Sequence, residues 1–168
     1  KKEFVADTGT IFIHTTDLKK QYISNDKKQY VINDKKVFAN ATLHENELLI
    51  ARVGQGCIGK IGIVAKRYCN MVFSDCIYAI DVIGINPYYL ALFLASEFGQ
   101  MQIKGLAKGS CSKYITREDL YKLCILVPGK QVQDYYGTKY KALLSKPGRV
   151  NKEKIFAELV EELDDEIK

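Results

Sequence analysis

The sequence predicts an α+β domain: a mixed, mostly antiparallel, twisted β-sheet with packed helices, followed by a C-terminal helical appendage. Three observations predict it. Short runs rich in β-branched and aromatic residues recur through the first half of the chain, at residues 10–14, 47–53, 61–66, 71–73 and 77–82. Helical spacing of apolar residues starts only after Pro87. Two more helical stretches, 131–144 and 151–167, close the chain and are split by Lys146-Pro147-Gly148. The organisation is thus a body of residues 1–129 and two C-terminal helices within residues 130–168.

In chain order, Thr10-Ile11-Phe12-Ile13-His14 reads as a strand, and Thr15-Thr16-Asp17-Leu18 carries the hydroxyl and carboxylate chemistry of a turn or helix cap. Residues 19–42 are polar and weakly periodic, with Tyr30-Val31-Ile32 as a brief strand or turn and Val37 opening another element. A hairpin over 47–66 comes next, then strands at 71–73 and 77–82. Pro87 suits the first helical position, and Leu90, Phe93, Leu94, Phe98 and Met101 predict one helix over 88–103, weakened in its last turn by Gly99. Residues 105–114 are a loop of Gly, Lys, Ser and Cys. Thr116-Arg117-Glu118-Asp119 then reads as a capping-box start for a short helical turn. Leu123-Cys124-Ile125-Leu126-Val127 predicts an apolar strand stopped by Pro128-Gly129. The final helix has Asn151 as its cap and Ile155, Phe156, Leu159, Val160, Leu163 and Ile167 on one stripe, which predicts packing on its own domain, or, as the sharper alternative, a partner helix.

The 168 residues suffice for a real core without a metal or disulfide staple. The five cysteines, Cys57, Cys69, Cys76, Cys111 and Cys124, are irregularly spaced with no C-x-x-C, and only His14 and His44 could join them in a zinc site. There is neither an apolar run of about 18 residues nor an opening signal-peptide stretch, so the expectation is a soluble, cytoplasmic chain with no membrane partner. Net charge is +5, unevenly placed: residues 149–168 hold four basic and seven acidic side chains, leaving 21 basic against 13 acidic, or +8, on the first 148. A basic body fits either a solvated surface or a polyanion partner.

Gly54, Gly56 and Gly59 spell G-x-G-x-x-G, and residues 54–60 also spell the first seven positions of a phosphate-binding P-loop. Both motifs aim backbone N–H groups and a helix N-terminus at phosphate, so both need a helix next. Lys60 is succeeded instead by Ile61-Gly62-Ile63-Val64, a strand, and Ile61 stands where a P-loop needs a hydroxyl for magnesium. The favoured reading is a glycine-rich hairpin whose glycines supply positive φ and close backbone approach. A nucleotide-binding enzyme using the 54–60 loop is one alternative, and a protein-interaction domain acting through the last helix is another.

Three segments in order carry a resemblance: Glu47-Leu48-Leu49-Ile50-Ala51-Arg52 through Gly59-Lys60; Asn86-Pro87-Tyr88-Tyr89-Leu90 through Ser96; and Lys108-Gly109-Ser110 through Ile115, with residues 123–128 and Gln133 beyond. Together they resemble the target recognition domain of the DNA specificity subunits of type I restriction-modification systems, and the similar module ending fused adenine-N6 methyltransferases. The resemblance covers roughly residues 10–140 and rests on order and spacing rather than on any one motif. It implies a non-catalytic module that reads a few base pairs of double-stranded DNA. Its implied partners are an adenine-N6 methyltransferase subunit or domain, which carries S-adenosylmethionine, and a restriction subunit. No cofactor is expected in this chain. A complete type I subunit has two such domains, so the chain resembles half a subunit or a fused enzyme's end, starting inside a longer protein. Gly129-Lys130-Gln131 departs from the proline and acids usual after Pro128.

For such a module, cations on phosphates supply affinity and a few polar side chains at base edges supply specificity. Arg52 and Gln55 are the expected base readers, since Arg pairs with guanine O6 and N7 and Gln with adenine N6 and N7. Lys60 is assigned to phosphate. Lys108, Ser110, Ser112 and Lys113 form an expected backbone clamp in which Gly109 permits close approach, and Thr15, Thr16, Lys19 and Lys20 form a third, weaker patch. No catalytic or metal-binding residues are expected. Asp75 and Asp81 read as a loop acid and an outward strand residue rather than metal ligands, and Asn86-Pro87-Tyr88-Tyr89 lacks the second proline by which amino-methyltransferases hold their base.

Overall fold

The computed structural model describes residues 4–5, 9–19, 22–24, 28–32, 40–146 and 152–167. Two small sheets and a helical layer stack on one another. The first sheet has the order β1 (Phe4–Val5), β3 (Gln29–Val31), β2 (Thr10–Ile13), β6 (Val72–Phe73); β2 and β6 run parallel and the other pairs antiparallel. The second is antiparallel throughout, in the order β5 (Ile61–Ile63), β4 (Leu48–Ala51), β7 (Ile77–Ile80).

Strand β4 is buried at all four positions, and its alternation explains the layering. Leu48 and Ile50 join the core shared with the helices, whereas Leu49 and Ala51 join a second core with Ile13, Leu18 and Ile77 facing the first sheet. A strand between two apolar layers reads as a continuous apolar run, which Leu48-Leu49-Ile50-Ala51 is. The neighbouring Gly62 lets the bridged pair Leu18 and Ile23 sit on β5, because a Cβ there would lie 2.7 Å from Ile23 Cγ1.

The single helix expected over 88–103 is two helices, α1 (Pro87–Ala95) and α2 (Glu97–Leu106). Ser96 lies between them in extended conformation, and its hydroxyl donates to Phe93 O at 2.5 Å and accepts from Gly99 N at 3.3 Å, so one side chain ends one helix and caps the next. Gly99 makes the fold-back possible, since a Cβ there would meet Phe93 O at 2.4 Å. The expected apolar stripe does not survive the break: Phe93 and Leu94 are buried in α1, whereas Met101 in α2 is exposed.

The strand expected over 123–127 is also absent. That segment forms no ladder; Gln102 holds both backbone groups of Cys124, accepting from its N–H at 2.8 Å and donating to its carbonyl at 3.0 Å, and Tyr89 donates to Leu126 O at 3.0 Å. Helix side chains thus satisfy the backbone that a strand neighbour would otherwise pair. Leu126 and Val127 are exposed.

A short α3 (Arg117–Leu120) precedes α4 (Lys130–Ser145) and α5 (Lys152–Ile167). α4 packs on α1, where Gly137 leaves room for Asn86, the residue whose side chain caps α1. Gln133 accepts from Asn86 N at 3.0 Å and donates to Pro128 O at 2.8 Å, so three residues that carry the sequence resemblance meet at one point. The α5 stripe faces inward: Phe156, Leu159 and Leu163 are buried in the helical core, and Phe156 packs edge-on to Tyr140 and stacks on Tyr22. Asp164, buried beside the apolar stripe of α5, accepts from Glu97 N in the first turn of α2. The expected cap Asn151, and Val37 near the start of another expected element, lie outside the described residues.

Candidate nucleic-acid interface

Residues 54–60 join β4 to β5 and form a tight loop with φ of 115°, 75° and 77° at Gly54, Gly56 and Gly59. The left-handed region is open to glycine without steric cost, which is why this spacing recurs in loops of unrelated purpose. Lys60 leads directly into β5, so no helix follows the loop and the phosphate cradle of either nucleotide motif is not built. Instead the loop rests on α2: Gln100 donates to Gly59 O at 3.0 Å, and a Cβ on Gly59 would stand 2.8 Å from Ile103.

The second loop, residues 108–114, is closed on itself by paired backbone bonds between Lys108 and Tyr114, both 2.9 Å. Gly109, at φ 87°, permits the closure, because a Cβ there would be 2.4 Å from Ser112 O. Backbone bonds then join the two loops: Gly54 N donates to Lys113 O at 3.0 Å and Ile115 N to Arg52 O at 2.9 Å, with Val53 and Tyr114 paired between them. Two patches about fifty residues apart in sequence therefore form one surface.

Gln55 is exposed at the tip, as are Lys108, Ser110, Ser112 and Lys113. Lys60 is half-buried, its ammonium 3.8 Å from Cys57 Sγ. Arg52 is held at the base: Nε donates to Asp75 O at 2.7 Å, Nη1 lies 3.5 Å from the Tyr78 hydroxyl, and the guanidinium stands over the Tyr78 ring at 5.2 Å. Such tethering fixes the fork's orientation and occupies some of its donors.

Lys108 is anchored in another way. Its ammonium contacts the carboxylate of Asp119 at 2.8 Å, and Asp119 is only 1% exposed. The same carboxylate accepts from the backbone and hydroxyl of Thr116 and from Lys122 at 3.2 Å. Lys108 first, then Thr116, holds the Asp119 carboxyl well below the usual carboxylate range, and the same contact raises Lys108 above that of an ordinary lysine. The capping-box spacing locates Asp119 in the sequence, but not its second role, because Lys108 lies eleven residues upstream. Nothing in the sequence marks Tyr78 as the support of Arg52 or Gln100 as the support of Gly59.

In the third patch Thr15, Thr16 and Lys19 occupy the turn after β2, where Lys19 Nζ donates to Thr16 O at 3.1 Å, and among the described residues no hydrogen bond joins the three to either loop. Lys20 is outside the described residues. Asp75 sits in the turn before β7 and Asp81 is exposed just beyond it. Among the described residues no group of three or more His, Cys, Asp or Glu is arranged to hold a metal, and no helix is long and apolar enough to cross a membrane.

The sequence matches no protein-family model and no curated protein. Among solved structures, the HsdS subunit from Thermoanaerobacter tengcongensis is similar, with a TM-score of 0.60 and 16% identity over 85% of this chain and 39% of that one. The chain has the fold of a specificity-subunit target recognition domain. The S subunit of a type I restriction-modification system from M. genitalium is similar too, with a TM-score of 0.54 and 14% identity over 83% of this chain and 33% of that one. This chain thus spans between one-third and two-fifths of the length of either subunit. Its two small sheets and five helices, among the described residues, make the chain α+β.

Proposed function

We propose that this chain is a non-catalytic recognition module for double-stranded DNA that directs a restriction-modification adenine-N6 methyltransferase, and any restriction subunit with it, to a target site in the cytoplasm. The methylation chemistry and its S-adenosylmethionine belong to the methyltransferase partner. The observation that carries this reading is the joining of the two loops: it gathers Arg52, Gln55, Lys60, Lys108, Ser110, Ser112 and Lys113 onto one end of a recognition-domain fold.

Within that surface the roles divide by chemistry. Gln55, exposed at the tip, reads an adenine edge, and Arg52, oriented by Tyr78 and Asp75, reads guanine. Lys60, Lys108 and Lys113 neutralise phosphates, while the hydroxyls of Ser110 and Ser112 donate to phosphate oxygens. Thr15, Thr16 and Lys19 contribute a peripheral contact. Titrating the chain, alone and with its methyltransferase partner, against a panel of duplexes at several salt concentrations tests the proposal. Binding is expected to weaken steeply with salt and to retain a sequence-dependent component. Absent or salt-insensitive binding in both states rejects it.

A further inference from the structure

The β4–β5 hairpin has a second end, opposite the glycine loop and, at four residues of strand, about 13 Å from it. Reciprocal bonds close that end, Asn46 N to Val64 O and Val64 N to Glu47 O, both 2.9 Å. The chain then makes a 3-10 turn, Lys66–Tyr68. Tyr68 is buried and its hydroxyl donates to Ile23 O at 2.7 Å, which pins the turn and leaves Lys66 and Arg67 exposed. The last turns of α4 bring Lys141 and Leu144 alongside. Together with Tyr88 and Glu45 these residues border a depression of about 250 Å³.

Charge there is one-sided. Lys66, Arg67 and Lys141 face a single carboxylate, Glu45, and among the described residues none of these four side chains forms an ion pair. Arg67 lies over the Tyr68 ring at 4.9 Å and Lys141 over the Tyr88 ring at 5.3 Å, so both cations rest on aromatic faces with donors still open. The Tyr88 hydroxyl is already committed to Asn46 Oδ1 at 3.0 Å and does not compete for a ligand. A fourth cation, Lys152, is half-buried and donates to Leu144 O at 3.4 Å; burial, then Arg67, lowers its pKa. Like charges gathered in a concavity repel one another, and an entering anion relieves that cost.

We infer that the depression bordered by Lys66, Arg67 and Lys141 is a binding site for a phosphate-type oxyanion, separate from the joined loops. A tetrahedral dianion offers enough acceptors for one guanidinium and two ammonium groups, and its charge matches theirs better than a single carboxylate does. A backbone phosphodiester of a nucleic acid, a monoanion with two open oxygens, offers the same phosphoryl acceptors with less charge, so free phosphate and a backbone phosphate are the two sources of this oxyanion chemistry.

The test titrates inorganic phosphate into the full chain by calorimetry at constant ionic strength, with chloride as the control. Saturable phosphate binding is expected in the wild type. The double variant Arg67→Ser/Lys141→Ser removes two exposed side chains outside the core, and its affinity for phosphate is expected to fall about tenfold or more. Thermal melting confirms that the variant is folded. Absence of saturable binding, or equal binding by the variant, overturns the inference. Duplex titrations then identify the source: a uniform loss across sequences in the variant points to a backbone phosphate, and unchanged DNA affinity points to free phosphate. Because the phosphate measurement contains no DNA, failure of the proposed recognition role leaves it unaffected, and the reverse also holds.

Discussion

The helical layer and the loop face are held together by different physics. In the helical layer, Tyr89, Tyr136, Tyr140 and Phe156 are almost wholly buried, and their packing fixes α1, α4 and α5 against β4 and β5. In the loop face the exposed side chains pack little. Their order comes from backbone bonds at 54–113 and 52–115, from glycine geometry, and from one buried carboxylate, Asp119. Under the proposed recognition role, the difference implies that stability and recognition are separable, because loop side chains can change without emptying the core.

The largest expected effect tests the frame. Phe156→Ala should cost about 3–5 kcal/mol in urea unfolding, as for other fully buried aromatic residues, while leaving the sequence preference of the folded fraction unchanged. A loss under about 1 kcal/mol would mean that α5 is not part of the frame. Gly99→Ala forces a Cβ against Phe93 O and should cost about 1–3 kcal/mol by the same measurement, again without altering preference. If either change redirects sequence choice, the separation between the two regions fails.

Loop substitutions should give the opposite pattern. Gln55→Ala should leave the unfolding midpoint in place and reduce discrimination at one base pair by about 1–3 kcal/mol, read from competition between duplexes. Lys60→Ala should weaken all duplexes alike and reduce the slope of log affinity against log salt by about 1. If both leave DNA binding intact, the glycine hairpin is scaffold only.

The smallest effect concerns acid. Because the Asp119 carboxyl titrates lower in the folded chain than in the unfolded one, its contribution is complete above the ordinary carboxylate pKa of about 3.9 and fades as pH falls below it. Acidification should therefore loosen residues 108–119 before the helical core, seen as faster amide exchange at Lys108 and Tyr114. Asp119→Asn, which cannot ionise, should show no such acid step. Equal acid sensitivity in that variant would place the anchor elsewhere.

Local chemistry in the sequence foretold a good deal of this. The β4–β5 hairpin, the strands at 10–13 and 77–80, Pro87 at a helix start, the capping box at Thr116 and the inward stripe of α5 are all found. Where sequence reasoning failed, two outcomes shared one local pattern. An apolar run with helical spacing does not say that a Ser96 hydroxyl and a glycine fold will break it. Nor does Leu123-Cys124-Ile125-Leu126-Val127 say whether its backbone bonds to a strand or to Gln102 and Tyr89.

By itself, then, the sequence determined the element types, the glycine turns, the basic balance of the body and the residue types a DNA reader needs. These are local properties, set by backbone sterics, side-chain periodicity and composition. Only the tertiary structure decided that residues 52–60 and 108–115 form one surface, that Asp119 anchors Lys108, that Tyr78 orients Arg52, and that Lys66, Arg67 and Lys141 converge at the other end of the hairpin. Each of these joins residues far apart in the chain, and such pairings arise from how the layers pack rather than from any spacing along the sequence.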